Sequence, residues 1–377
     1  MVKGNIFIAG AGGIGRAAAL LLETNEAMDA TVFIGDISTS QLDSAIEWIA
    51  SAFGTTNVTP VNMTDDSLSG VFDQCDVLLD CLPGSLAPKM AQYSIDHNMH
   101  YANLTEYVSE TEQISALAKN ASTGFVLQTG LAPGYINVLA LRLYEEFKQD
   151  HNTDKLDSMQ MKVGALSKNA TSPHHYAFTW SPIGVATEYV KDAIVVRNNQ
   201  RQLFPALSGR GLITIDGTVY EDNYTSGGAA NLPSAFADKI TNIDYKTLRY
   251  PGHYQWVEKT LSEIPISENR AKKLFDIMLE TIPVVDDDVV IIYASVTGKD
   301  SNGFLRNHEK SLKVTPMKIG NAKLRAIQST TAAPLCEMAY WLLKSKSSGV
   351  IYQTDIDTES FLNGPYVSMV YGAYTDL

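Results

Sequence analysis

The segment Asn5–Gly15, NIFIAGAGGIG, constrains this chain more than any other stretch. Ile6, Phe7, Ile8 and Ala9 form a short apolar run that stops on glycine, the pattern of a strand buried on both faces of a parallel sheet. Gly10, Gly12 and Gly15 then spell G-x-G-x-x-G ahead of RAAALLLETNE, a good helix former with apolar residues on one face. In that frame Gly10 permits a sharp turn, Gly12 lets the backbone approach a pyrophosphate, and Gly15 lets helix and strand pack closely. Gly13 and Ile14 stand at the helix start, where unpaired N–H groups suit a phosphate pair. A second strand, Thr31–Gly35, ends in Asp36, about 20 residues beyond the last glycine. A carboxylate there accepts from both adenosine ribose hydroxyls and repels a 2′-phosphate, so the expected cofactor is NAD rather than NADP.

The alternation continues. Residues 38–53 read as an amphipathic helix with a Ser or Thr cap, Val58–Met63 as a strand, Asp66–Gln74 as a short helix and Asp76–Cys81 as a fourth strand. Helix 85–97, strand 100–104, helix 109–121 and strand 124–129 follow. This spacing predicts an α/β, Rossmann-type doubly wound parallel sheet, which binds ligands beyond the carboxyl ends of its strands. The loops holding Asp36, Ile37 and Ser38, then Leu82, Pro83 and Gly84, then Thr105, Glu106 and Tyr107, then Gly130–Gly134, are therefore expected at the cofactor crevice. Beyond a helix at Tyr135–Gln149 the pattern changes. Met159–Leu166 alternates, Ala193–Arg197 and Arg201–Phe204 flank Asn198-Asn199, and Asp216-Gly217 signals a hairpin. Val289–Val296 is another buried strand, and Ser311–Val314 is expected to pair nearby. These features predict an α+β domain on an antiparallel or mixed sheet. Asp286–Asp288 reads as a polar turn, and Ala332–Lys344 as a helix.

Composition narrows the class. A formal net charge of −13 over 377 residues argues against nucleic acid or an anionic membrane as the main partner. Cys75, Cys81 and Cys336 are too few and too scattered for a disulfide framework or a cysteine-rich zinc site. The first apolar run is only a strand long, and none reaches the ~20 residues of a membrane helix. A soluble cytoplasmic protein with no signal peptide is expected.

Four further blocks are more specific: DCLPG at 80–84, GLAPG at 130–134, YAFTWSPIGVATEY at Tyr176–Tyr189 and TLRYPGH at Thr247–His253. With GAGGIG they resemble the saccharopine dehydrogenase-like family over nearly the whole chain. That group includes saccharopine reductases, lysine 6-dehydrogenases and carboxynorspermidine dehydrogenases. The resemblance implies a Rossmann domain at 1–130, an inserted substrate and dimerisation domain at 131–331, and a segment at 332–377 that returns to the first domain. It also implies a homodimer that transfers a hydride between a nicotinamide cofactor and a C–N bond of a saccharopine- or lysine-like amino acid. Departures exist. Saccharopine reductases read G-L-D-P-G where this chain has Ala132, they carry a lysine shortly before the strand at 100–104, and some relatives carry an arginine where Ile183 stands. The rival expectations are a nucleotide-binding regulatory or sensing protein without turnover and a flavoprotein using the same fingerprint.

Hydride transfer asks the protein mainly to position carbons and steer one proton. Arg249 is the expected clamp for the substrate carboxylate, because a guanidinium fork pairs bidentately. His253, Glu106 and Tyr107 are the acid–base candidates. Thr179, Ser181 and His175 are candidate substrate contacts. His174 and His175 are adjacent on extended chain and point oppositely, so no metal site is expected. Tyr144-x-x-x-Lys148 imitates a short-chain dehydrogenase pair but falls in a helix beyond the sheet.

Overall fold

The computed structural model describes residues 1–168, 170–171 and 173–376. Its first half alternates strand and helix from the start: β1 (Val2–Ala9), α1 (Gly13–Thr24), β2 (Met28–Asp36), α2 (Thr39–Ala50), β3 (Thr59–Asn62), α3 (Leu68–Phe72), β4 (Val77–Asp80), α4 (Ala87–Asp96), β5 (His100–Asn103), α5 (Val108–Ala118) and β6 (Gly124–Val126). β1 pairs in parallel with β2 over its whole length, Val2↔Met28 to Ala9↔Gly35. On its other side it pairs with β4, Ile6↔Val77 to Ala9↔Asp80. The apolar runs of β1 and β4 are sealed on both faces, with Ile6, Phe7, Ile8, Val77, Leu78 and Leu79 all buried. Such strands need no alternation, because helices cover both sides.

After α6 (Tyr135–His151) the architecture becomes mixed. It contains β7 (Leu156–Ser167), α7 (Pro182–Glu188), β8 (Ala193–Arg197), β9 (Gln200–Phe204), β10 (Gly211–Ile215), β11 (Thr218–Tyr224), α8 (Leu232–Phe236), β12 (Ile240–Arg249), α9 (His253–Ser262), α10 (Arg270–Thr281), β13 (Asp288–Lys299) and β14 (Leu305–Val314). Among the described residues these strands form an eight-stranded sheet ordered β10-β11-β12-β7-β13-β14, with β8 on β12 and β9 on β8. β7 is antiparallel to β13 but parallel to β12. Both anticipated hairpin turns close with positive φ at their two central residues, Asn198-Asn199 and Asp216-Gly217, as tight hairpins with right-handed strand twist require. Helices α7, α9 and α10 share one apolar cluster that includes Tyr176, Phe178, Val185, Tyr254, Val257, Leu274 and Met278.

The last part adds β15 (Met317–Ile319), β16 (Ala322–Leu324), α11 (Ala326–Lys344), β17 (Gly349–Ile351), α12 (Thr358–Leu362) and α13 (Pro365–Tyr371). β17 pairs in parallel with β6 and completes a seven-stranded sheet, among the described residues, ordered β17-β6-β5-β4-β1-β2-β3. The chain divides into two compact units. One holds Met1–Tyr135, Met317–Leu324 and Gln328–Leu377, and the other holds Ile136–Pro316 and Arg325–Ile327. No helix among the described residues is long and apolar enough to cross a membrane.

Three local expectations are corrected. Asp288 is not part of a polar turn: it opens β13, is fully buried, and accepts hydrogen bonds from the backbone N–H groups of Ala326 (2.8 Å) and Ile327 (2.7 Å). That cap starts α11 six residues before Ala332. The strand anticipated at 124–129 stops at Val126, where Gln128 turns to φ +60° and the Leu127 N–H donates to the Ile351 carbonyl.

Candidate functional site

The glycine turn is built as its spacing demands. Gly10 has φ +105°, and its N–H donates to the Gly35 carbonyl at 2.7 Å, tying the turn to β2. A Cβ on Gly15 would lie 1.8 Å from the Gly10 carbonyl oxygen, so only glycine allows α1 to pass this close to β1. A Cβ on Gly12 would meet nothing within 4 Å. The turn does not need glycine there for its own packing; the open space fits a ligand that approaches the backbone. Gly12 is the N-cap of α1, and no side chain caps it. The helix start at Gly13, Ile14 and Gly15 therefore presents its N–H end as phosphate sites do.

Asp36 closes the same turn from β2. Its two carboxylate oxygens accept from the N–H groups of Ala11 and Ser38, each at 3.0 Å. Each oxygen keeps a lone pair, so the carboxylate can still accept from a ribose. Ser38 caps α2 by accepting from Gln41 N–H at 3.3 Å, and the Gln41 side chain donates to the Ala11 carbonyl at 2.9 Å. Ile37 is 73% exposed beside them, an apolar side chain held out where the unit's own core does not use it.

The ends of the next strands gather as a second set. A Cβ on Gly10 would touch the Cys81 carbonyl group and the Leu82 side chain, which places the β4 loop against the glycine turn. Gly84, just after Pro83, packs on Thr105 and Tyr107, since its Cβ would fall 2.4 Å from Thr105 Oγ1 and 2.7 Å from the Tyr107 ring. Glu106 stands between those two, half-buried. Gly130 N–H donates to the Pro133 carbonyl at 2.9 Å, which folds Gly130–Gly134 back on itself beside Leu104. One member had no obvious sequence signal. Gln328 on α11 donates to the Gly13 carbonyl at 2.9 Å, from more than 300 residues away. Asp80, 2% exposed, accepts from Leu82 N–H at 3.0 Å and from the Tyr101 hydroxyl at 2.8 Å. Burial pushes its carboxyl up to about 6.

In the other unit the structure brings Arg249, His253 and His175 together and adds Tyr189. Arg249 ends β12 almost fully buried, opposite Glu221 of β11. Its Nε donates to the Tyr189 hydroxyl at 2.6 Å and its Nη1 to the Leu248 carbonyl at 2.9 Å, while its Nη2 has no partner among the described residues. The guanidinium lies 4.8 Å from the Tyr176 ring centroid and 5.5 Å from that of Tyr189, faces that suit a weakly hydrated cation.

His253 opens α9 after Gly252, whose φ of +105° makes the turn that Pro251-Gly252 announced. His253 Nδ1 is 2.8 Å from the His174 carbonyl oxygen, which can only accept, so Nδ1 carries the proton. Nε2, 3.0 Å from the Tyr189 hydroxyl, is then the acceptor. The hydrogen bonds run one way, from Arg249 to Tyr189 to His253 to His174. Burial, then the Arg249 charge, hold the His253 ring down to about 3, so it is neutral at physiological pH. His175 covers Gly252, where an added Cβ would lie 2.8 Å from its ring, and His174 meets Trp256 edge-on at 4.9 Å. Thr179 is fully buried, and its hydroxyl has no partner among the described residues. Ser181 is exposed, and its hydroxyl caps α7 by accepting from Gly184 N–H at 3.3 Å. Tyr144, of the imitated pair, donates to the Asp154 carbonyl at 3.2 Å.

Comparison with known proteins places the chain among relatives of one family. The family model for the saccharopine dehydrogenase NADP binding domain matches residues 6–127, and that for the saccharopine dehydrogenase C-terminal domain matches residues 130–367. The alpha-aminoadipic semialdehyde synthase of Arabidopsis thaliana is 22% identical over 310 residues, 72% of this chain and 28% of that protein. The mitochondrial enzyme of that name from Rattus norvegicus is 24% identical over 217 residues, 53% of this chain and 22% of that protein. The chain thus spans about a quarter of the length of these curated relatives. Among solved structures, saccharopine dehydrogenase (L-Glu forming) from Saccharomyces cerevisiae superposes with a TM-score of 0.72 at 15% identity, covering 96% of each chain. A homospermidine synthase from Legionella pneumophila, in complex with NAD, gives 0.65 at 13% identity, covering 99% of this chain and 92% of its own. Both share the fold.

Proposed function

The chain belongs to the saccharopine dehydrogenase family, and from that premise we propose an oxidoreductase that moves a hydride between a nicotinamide dinucleotide and the C–N carbon of an amino acid. The observation that carries the cofactor half is Gly12: it is a glycine the turn does not need sterically, at an uncapped helix start, next to a carboxylate that ends β2. Gly10–Gly15 would hold the pyrophosphate, Asp36 the adenosine ribose, and Ile37 the adenine face. Leu82–Gly84, Thr105 and Gly130 would line the nicotinamide half. When bound, the cofactor supplies the hydride acceptor or donor. We read NAD as the preferred form, because no lysine or arginine stands among Ile37, Ser38 and Thr39 to offset a 2′-phosphate against Asp36.

The observation that carries the substrate half is the unpartnered Nη2 of Arg249. A buried guanidinium nitrogen without an acceptor costs stability, and a substrate carboxylate would satisfy it. Thr179, whose hydroxyl is also unpartnered, is a second contact in this reading. His253 has both ring nitrogens engaged and is neutral, so we assign it to orienting Tyr189 and Arg249 rather than to proton transfer. Glu106 and Tyr107, at the edge of the cofactor loops, remain the acid–base pair proposed. A homodimer, as the family resemblance implies, completes the proposal.

The test is a panel of amino acids, diamines and oxo-acid–amine pairs, followed by the absorbance of reduced nicotinamide in both directions. A saccharopine- or lysine-like compound should give turnover with NAD. A protein that binds the dinucleotide tightly and turns over nothing in the panel would instead match a sensing role.

A further inference from the structure

We propose that Asp80 makes this site hold the oxidised, cationic nicotinamide dinucleotide more tightly than the reduced one, an inference that rests on the cofactor assignment above. The starting observation is a buried carboxylate without a countercharge. Asp80 is 2% exposed, and no cationic side chain among the described residues pairs with it. Its oxygens are held by one backbone N–H, from Leu82, and one hydroxyl, from Tyr101. Hydrogen bonds of this kind reduce the cost of burying a charge but do not cancel it.

The groups that face Asp80 are electrically neutral. Ala9 of β1 and Asn103 of β5 sit beside it in the sheet. The Tyr101 hydroxyl also receives the Asn103 amide at 3.3 Å, and burial raises its pKa well above the usual tyrosine value. Cys81, next in the chain, is kept in its thiol form by burial and by the Asp80 charge. A positive charge is therefore what this corner lacks.

The topology says where one would come from. The strand order reverses at β1, which has β2 on one side and β4 on the other. In such sheets each half binds one mononucleotide, and the dinucleotide crosses at the reversal. Asp36 ends a strand of the adenosine half, so Asp80, at the end of β4, belongs to the nicotinamide half. The oxidised ring is a cation and the reduced ring is neutral, while the rest of the molecule is the same. A fixed carboxylate under the β4 loop thus separates the two forms by charge alone. With its carboxyl at about 6, Asp80 is ionised at neutral pH and protonated in mild acid. Binding of the cation favours the ionised form, so uptake of NAD⁺, and not of NADH, releases protons near that pH.

The experiment measures dissociation constants of NAD⁺ and NADH for the parent protein and for Asp80→Asn, by calorimetric titration. At neutral pH the variant should bind NADH as the parent does and NAD⁺ more weakly, on the order of three- to tenfold. In the parent the preference should fade as pH drops through about 6, and in the variant it should be flat. An equal loss for both forms, or no loss for either, overturns the proposal, since Asp80 would then only shape the loop or be idle. If Asp80→Asn does not fold, Tyr101→Phe decides. It removes a donor to the carboxylate, so the pH at which the preference fades should rise, and an unmoved midpoint overturns the proposal. A parent that binds neither form removes the cofactor assignment itself and this inference with it, a result distinct from binding without discrimination.

Discussion

At the scale of single residues, the proposals rest on the two carboxylates that end β2 and β4 and the guanidinium that ends β12. Asp36→Ala should narrow the preference for NAD over NADP. A 2′-phosphate at ~4 Å from a carboxylate meets about 1 kcal/mol of repulsion per charge pair even in water, a discrimination on the order of tenfold once both charges count. Equal dissociation constants for the two cofactors in the parent would refute this. Arg249→Ala should lower kcat/KM by roughly 10²- to 10³-fold, because losing one partner of a buried ion pair costs ~3–5 kcal/mol. NAD affinity should be unchanged. Lysine should restore only part, since a point charge cannot serve Tyr189, the Leu248 carbonyl and a carboxylate at once. A substrate turned over at the parent rate by Arg249→Ala would make the residue purely structural. His253 makes a different prediction. Its folded pKa of about 3 lies below the unfolded value of roughly 6.5. The stability it contributes is therefore complete above about pH 6.5 and lost as pH falls toward about 3. Denaturant titrations between those limits should show a shallower pH slope in His253→Gln than in the parent, by up to ~1.4 kcal/mol per pH unit. Identical slopes would mean that the ring is not held neutral.

At the scale of elements, the glycine turn separates packing from binding. Gly15→Ala places a methyl 1.8 Å from a backbone oxygen, so β1 and α1 must move apart, at a cost of about 1–3 kcal/mol or more, and cofactor binding is lost with them. Gly12→Ala meets open space at an ordinary φ of −71°, so its stability should stay within about 1 kcal/mol of the parent while dinucleotide affinity falls. Thermal unfolding with and without NAD distinguishes the two, and Gly12→Ala with parent affinity would remove the pyrophosphate from this turn. The contrast also explains what was legible in the amino-acid order. β1, α1 and β2 follow from local apolar runs and from glycines whose spacing has a steric cause. Helix α10 was equally legible in principle, because Leu274 and Met278 are one turn apart and both buried, yet a strand-rich context hides it. The start of α11 was not legible. Its cap is Asp288, nearly 40 residues upstream, and no window of local sequence contains both partners.

At the scale of the whole molecule, each unit closes its site with chain that is remote in sequence. Gln353 donates to the carbonyls of Leu127 and Gln128, both at 2.7 Å, and Gln328 reaches Gly13, so the C-terminal stretch supports the loops that follow β1 and β6. In the other unit Tyr189, from the turn after α7, links Arg249 to His253 across about 60 residues. Arg249 and His253 were visible in one motif and Tyr189 at the end of another, but the hydrogen bonds that join them were not, because a tyrosine just past a helix end carries no sign of what it touches. What these parts are proposed to do together is transfer hydride from a carbon that bears nitrogen. The most direct measurement uses NAD⁺ and saccharopine- or lysine-like substrates deuterated at that carbon, with the reduced cofactor then isolated and assayed for label. Deuterium at C4 of the nicotinamide is the predicted result. Reduced cofactor without deuterium, or none formed from any such substrate by a protein that binds NAD⁺, would contradict the account.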